Sequence, residues 1–506
     1  MSKIGFYKHG FFNKSFNSSQ KLSFKDKHFN LNQLSSEFSS VYRLVDLNKK
    51  NLKKDSEVVL YLNWLCNQLI LYFQCDFVAD ELKILLEKKQ KIELDFADYN
   101  SFKFQDFRSF LLYKMKNNFK EFIYLLKSSS RFRSTISSLL TNRSYWNYSR
   151  SFAKYLTLYC LQCSSSHLFR KINGYLGLYC SPERFLEIIE LPKEILKITS
   201  FSFNLFRLLI NLIMAIKHIY KALLNQELSA KKILVQELEK RSYIVTNDVA
   251  WSVVNFLSNY YQVLGISIGI ISYLNLACFT LDFVLFSAKW AYEKLQYDQR
   301  INELILQRNQ SKSTLESAMI IRQIELINDD WEAQCHYYLF NIAAALIFIF
   351  AFAATLIWTG PLFFLGIAAL NMLGNALYNS SEEYKFYKQA TIAGKRELLN
   401  KEFSGPGYHN AVLHELNEKS LEAQNEFIKT LIFNAVFTTS IMVVASFSWP
   451  LATLIMVTYL AYKIWDSYEK EQKKQFKKPE PNIYRLFSPK QKEPDYSNDY
   501  IALGLS

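Results

Sequence analysis

A chain of 506 residues that is 50% apolar and 16% aromatic is long enough for two or three domains and too apolar for an intrinsically disordered protein. Its net charge of +14 is unevenly held: residues 1–248 carry 38 Lys and Arg against 22 acids, and residues 249–506 carry 22 against 24. No nucleic-acid module accompanies the basic half, so the predicted partner is an anionic membrane surface rather than DNA or RNA. Seven scattered cysteines, an odd number, exclude a disulfide framework and point to a reducing compartment.

Residues 1–30 are basic, interspersed with Phe and without a contiguous apolar core, which reads as a flexible segment rather than a secretory signal. Residues 31–190 form the next unit. Between 31 and 181 there is no Pro, and the only glycines are Gly174 and Gly177; apolar residues recur at helical spacing in 57–72 and 107–126, which predicts a basic helical bundle. The cluster Cys160, Cys163, His167 and Cys180 contains a Cys-x2-Cys half-site that zinc can use. Cys160 and Cys163 lie in the apolar stretch YLTLYCLQC, however, and buried thiols are the preferred reading, so no cofactor is expected.

Residues 191–247 read as an amphipathic helical pair. On its first member, Asn204, Arg207, Asn211, His218 and Lys221 fall on one narrow stripe of an otherwise apolar rod. That pattern suits a bundle-core or membrane-surface helix better than a spanning one.

The rest of the chain is organised by three stretches without a formal charge. The central one, 333–381, runs 49 residues and is broken at Gly360-Pro361, which predicts two spans and a tight turn, because about 20 residues suffice to cross a bilayer. The flanking ones, 249–281 and 430–462, are 33 residues each with breakers at Gly265 and Gly269 and at Trp449-Pro450. Half of such a unit is short for a span, so two spans, one kinked span and a re-entrant hairpin all stay open. Asn247, Asn341 and Asn434 enter the three stretches at intervals of 94 and 93 residues, which points to internal duplication. The predicted order is hairpin 1 over 249–289, arm 1 over 290–332, hairpin 2 over 333–381, arm 2 over 382–429 and hairpin 3 over 430–462.

Each arm reads as an antiparallel coiled coil. Arm 1 turns at Ser311-Lys312-Ser313 and returns through Met319, Ile320, Ile324, Ile327 and Trp331; from Lys289 to Glu332 it holds six basic and eight acidic residues. Near-neutral arms with an apolar seam suit protein partners. With three hairpins, both arms and both termini share one side, which the positive-inside rule assigns to the cytosol. The segment 463–506 follows as a basic, Pro-containing tail in which Lys470, Lys473, Lys474, Lys477 and Lys478 are placed to meet anionic lipid head groups.

The fold class expected is therefore all-α: a polytopic membrane protein with three repeated apolar hairpins, coiled-coil arms and an N-terminal helical bundle. No nucleotide-binding loop, nucleophile elbow or complete zincin motif is present, so an enzyme is not expected. Asp282 is the acid nearest a span interior and is read as hydrated at the cytosolic exit of its helix; Asn255, Asn259, Gln262 and Asn275 are read as interhelical glue.

The segment RSYIVTNDVAWSVVNFLSNYY, the 93–94-residue alternation and the Phe, Tyr, Asn and Lys usage resemble multi-pass membrane proteins of Legionella and Coxiella type over about residues 190–470. The tail, with Glu493, Asp495 and Asp499 before Ile501, Leu503 and Leu505, is similar to the C-terminal signals of type IVB (Dot/Icm) secretion substrates. That resemblance implies an effector inserted in a host membrane. The expected function is a membrane-anchored interaction or scaffold protein; the alternative is a resident transporter or channel of the bacterial inner membrane.

Overall fold

The computed structural model describes residues 2–13, most of 22–95, 147–159, 192–224, 228–399 apart from 359, 406–437 and a few isolated positions. Every described element is helical, and no strand occurs among the described residues. The helices are α1 (Lys3–Phe12), α2 (Leu31–Asn48), α3 (Glu57–Asp76), α4 (Ala79–Asp95), α5 (Pro192–Leu224), α6 (Ala230–Tyr260), α7 (Ile268–Gln310), α8 (Thr314–Ile357), α9 (Pro361–Asn379), α10 (Ser381–Leu399) and α11 (Pro406–Ile432), the last running into a π-helical turn at Phe433–Phe437.

The axis of the molecule is the pair α7 and α8, of 43 and 44 residues. At 1.5 Å per residue each is about 65 Å long, roughly twice the hydrocarbon thickness of a bilayer. They run antiparallel in one register: Trp290 stacks on Tyr338, Tyr297 on Trp331 and Phe279 on Phe348. The turn between them is built by sequence. Ser313 accepts a hydrogen bond from the Glu316 amide at 3.4 Å, and Glu316 is the acid of the first turn, the Ser-x-x-Glu arrangement that starts a helix. Neither helix breaks at 290 or 332, where the sequence placed the borders between hairpin and arm, because neither place holds a Gly or Pro.

One half of this pair is charged and carries its own small core of Ile301, Leu304, Ile320 and Ile324. The other half is apolar. There α8 ends at Ile357, Gly360 takes φ +137°, and Pro361 occupies the first turn of α9, so the turn falls at the Gly-Pro pair. At the first apolar unit the positive φ is at Gly265 (+67°), between α6 and α7; Gly269 lies inside the first turn of α7 and breaks nothing. Small residues allow α8 and α9 to pack closely: Ala351 and Ala354 meet Ile367, and a Cβ at Gly374 would stand 3.2 Å from the Phe348 ring. Helices α9 and α10 are separated at Ser380, whose hydroxyl donates to the Ala376 carbonyl at 2.7 Å.

Among the described residues five helices are long and apolar enough to cross a membrane: Glu57–Cys75, Phe201–Leu224, Gly269–Gln310, Thr314–Ile357 and Leu362–Asn379. Burial separates them. The segment in α3 is 61% buried within the protein, whereas that in α7 is 17% buried and that in α5 22%. Helix α3 is the centre of a protein core, in which Val58, Leu62, Leu65 and Leu69 meet Leu34, Val41 and Leu44 of α2, with Met319 and Leu326 of α8 completing it. Helix α5 instead exposes Ile213, Ile216, Leu223 and Leu224, an apolar face with no covering element among the described residues.

The first residues depart from the flexible basic segment expected over 1–30. Residues 3–12 form helix α1, capped by the Ser2 hydroxyl, with Ile4 and Phe12 in the core formed by α2 and α3. A single Phe or Lys in that stretch carries no periodic signal, and its partners are set by tertiary packing, from Glu37 and Tyr61 to Gln323.

Candidate functional site

Two polar clusters are enclosed by these helices. The first joins α1 and α2 to the charged half of α7 and α8. Lys8 and Glu37 are fully buried and pair at 3.0 Å, and Arg300 closes on the other Glu37 oxygen. Lys8 also donates to Gln323 at 2.6 Å, Gln323 donates to Ser40 at 2.8 Å, and the Tyr61 hydroxyl donates to Glu37 at 3.3 Å. Burial drives the Glu37 carboxyl upward, but the two cations beside it prevail and hold it at about 2. Burial is the larger influence on Lys8 and lowers it, against the pull of Glu37. Lys8, Glu37 and Gln323 are each held by several partners, while Arg300 keeps Nε and Nη1 without a hydrogen bond. The cluster is a lock between the N-terminal helices and the arm.

The second cluster begins in the seam between α5 and α6. The stripe read on α5 turns inward there: His218 meets Glu237 at 2.9 Å, Arg241 donates to Asn211 at 3.2 Å, and Arg207 donates through Nε to Asp248 at 2.7 Å. Asn204, Asn211 and His218 are all buried, so the polar face of α5 is internal and its apolar face external, the reverse of a soluble bundle helix. This polar row leads to a cavity of about 360 Å³ bounded by α5, α6, α7, α8 and α9 together with Ser144 and Tyr148. Asp282 faces it and accepts from the Trp251 indole N–H at 3.1 and 3.2 Å. Arg207, Asn247, Asn255 and Asn375 line it as well, between walls of Phe279, Phe348 and Tyr378. Counted along α7 from Ile268, Asp282 lies about 20 Å from the turn.

Two of the four amides read as interhelical glue bond within their own helices. Asn255 and Asn275 donate to the carbonyls of Trp251 and Ile271, four residues back on their own helices, as Asn341 does to Tyr337. Asn434 does bridge, donating to Ser380 at 3.0 Å. Neither the lock nor the Trp251–Asp282 pair was readable in advance, since each joins residues through tertiary packing alone.

A groove of about 700 Å³ lies beside the lock, with Asn32, Gln33, Gln296, Gln299 and Glu303 among its lining. Cys160, Cys163, His167 and Cys180, the lysines from Lys470 to Lys478, and Trp449 and Pro450 lie outside the described residues. Among the described residues no group of three or more His, Cys, Asp or Glu side chains is placed to hold a metal ion. No protein-family model, curated protein or solved structure matches this chain.

Proposed function

We propose that this is a membrane-anchored interaction protein, in which the apolar hairpins hold the chain in a bilayer and the N-terminal helices with the charged half of α7 and α8 form a head that binds a protein partner. The observation that carries this reading is the length of α7 and α8. Each is about 65 Å long, apolar over one half and charged over the other, so a bilayer accommodates only part of it. The lock supports the reading, because it fastens α1 and α2 to the half that remains outside. The groove beside it, with an exposed Leu295 and a mixed polar lining, is the surface offered to a partner.

In the full arrangement three apolar hairpins alternate with two coiled-coil arms, and both arms and both termini face the cytosol, with the basic N-terminal half against anionic lipid. If the tail resemblance holds, residues 463–506 direct delivery through a type IVB system into a host cell, and the membrane entered is the host's. Fusing that segment to a reporter active only in host cytosol tests delivery directly.

For the interaction itself, a photo-crosslinking residue is placed at Leu295 or Gln299 in the groove and, as a control, at Val263 beside the Gly265 turn. Protein adducts from the groove positions and none from Val263 are expected. Adducts at Val263 alone would place the partner at the other end of the molecule and remove this reading. A second reading, a transporter or channel, is favoured by the polar cavity at Asp282; transport abolished by Asp282→Asn, with the groove positions silent, would decide for it.

A further inference from the structure

The cavity at Asp282 carries more than a packing defect would. At the lock on α1 the carboxylate is already met by the Lys8 and Arg300 cations, so it holds no uncompensated charge for a ligand. The cavity has space, and its polar atoms are unevenly matched. Arg207 is engaged by Asp248, so the charge facing the space is the Asp282 carboxylate, whose donor is the Trp251 indole. The Asn255 amide nitrogen is already given to the Trp251 carbonyl, which turns its oxygen into the remaining functional atom. The Asn247 oxygen is buried without a hydrogen-bond donor. One buried acceptor, the Asn247 oxygen, thus stands without a donor in the lining that holds the Asp282 charge, and such an acceptor is a standing cost that a ligand with donor groups or positive charge removes.

Two further features narrow the ligand. A bare divalent ion needs about six oxygens at close range, whereas a space of about 360 Å³ walled by Phe279, Phe348 and Tyr378 is too wide and too aromatic for that. One carboxylate in an aromatic lining is a setting that holds an organic ammonium group, chiefly by direct ion pairing, with Phe279 and Phe348 stacked on each other as a fixed apolar wall. We infer that this cavity is a binding site for an organic ammonium cation, with Asp282 as its counter-ion, Asn247 and Asn255 as acceptors and the three rings as its walls. A free amine and the ammonium head group of a lipid share this chemistry.

The test uses the full chain in nanodiscs of phosphatidylglycerol, titrated calorimetrically with choline and with 3,3-dimethylbutan-1-ol, its uncharged isostere. Choline is expected to bind saturably and the isostere not at all. Asp282→Asn keeps the acceptor for Trp251 but loses the charge, and is expected to weaken choline about tenfold or more, with Asp282→Glu restoring most of the affinity. Should Asp282→Asn fail to fold, Ala345→Met narrows the same cavity without touching the carboxylate and is expected to weaken choline similarly. Repeating the titration in phosphatidylcholine discs separates the sources: competition by the lipid identifies a head-group site, and unchanged affinity a site for a free amine. Absence of saturable choline binding, equal binding of the isostere, or undiminished affinity in the folded Asp282→Asn protein would overturn the assignment.

Discussion

The lock at Lys8 and the cavity at Asp282 are both polar clusters set between helices, and they differ in how far the charged groups meet one another. At the lock, Lys8, Glu37, Arg300, Gln323 and Ser40 meet one another directly, and the carboxylate has two cations for company. At the cavity one carboxylate shares an indole N–H and faces about 360 Å³ of open volume. A closed cluster of charges specifies which surfaces meet, since no other pairing satisfies the buried ions. An open one specifies what enters.

The contrast is broken most severely at Glu37. Glu37→Ala strands Lys8 as a buried, unpaired cation and leaves Arg300 only its looser contact with Glu303 at 3.6 Å, and a loss of about 3–5 kcal/mol is expected. Hydrogen exchange is the measurement, with amides of α1 passing from protected to rapidly exchanging. Replacing Lys8, Glu37 and Arg300 together by Met is expected to restore protection, because the cost lies in the stranded charges rather than in the lost pair. If the triple variant were as labile as Glu37→Ala, the lock would be a source of net stability and not only of specificity.

Acid should open the lock. The Glu37 carboxyl is held at about 2 in the folded protein against an ordinary value of 4.5, so it contributes stability that is fully present above about pH 4.5 and is lost as pH falls towards 2. The full effect is about 3 kcal/mol. Exchange of the α1 amides, followed from pH 6 downward, is expected to accelerate through that window in the wild type and to lose this acceleration in the triple Met variant.

A smaller effect is expected where α8 meets α9. At Gly374 an added Cβ meets Phe348 at 3.2 Å, so Gly374→Val overpacks the contact and costs about 1–3 kcal/mol, read as a lowered melting temperature in detergent. Because Phe348 is also a wall of the cavity, the same substitution is expected to disturb choline binding. Smallest of all is Asp282→Asn, which retains an acceptor for Trp251 beside an open space; a change in stability of about 1 kcal/mol or less is expected from the same melting experiment. A large loss there would make the cavity a structural cluster like the lock.

Those features with a local signature were legible beforehand. Charge-free runs, the Gly360-Pro361 pair and the three-and-four spacing of Met319, Ile320, Ile324 and Ile327 each act within a few residues of themselves, so the turn and the arm follow from them. The stripe of Asn204, Arg207, Asn211 and His218 was equally visible, but its direction was not: a narrow polar face turns outward in water and inward in lipid, and only the contact with α6 decides. What stayed hidden depends on distant partners. Helix α1 has no amphipathic period of its own and is fixed by Glu37, Arg300 and Gln323, while the cavity arises where five helices fail to fill the space between them.

The pairing of Lys8 with Gln323 sets an order of assembly. Their positions are 315 residues apart, so the N-terminal segment leaves the ribosome long before the surface it belongs to exists. At common synthesis rates of 5–20 residues per second the wait is roughly 15–60 s, during which Lys8 has Glu37 within the N-terminal helices but not Gln323. Helices α5 and α6 and the first apolar hairpin are all made in that interval. The Lys8–Gln323 contact therefore forms only after α5, α6 and the first apolar hairpin have been made, so the lock is completed late in synthesis.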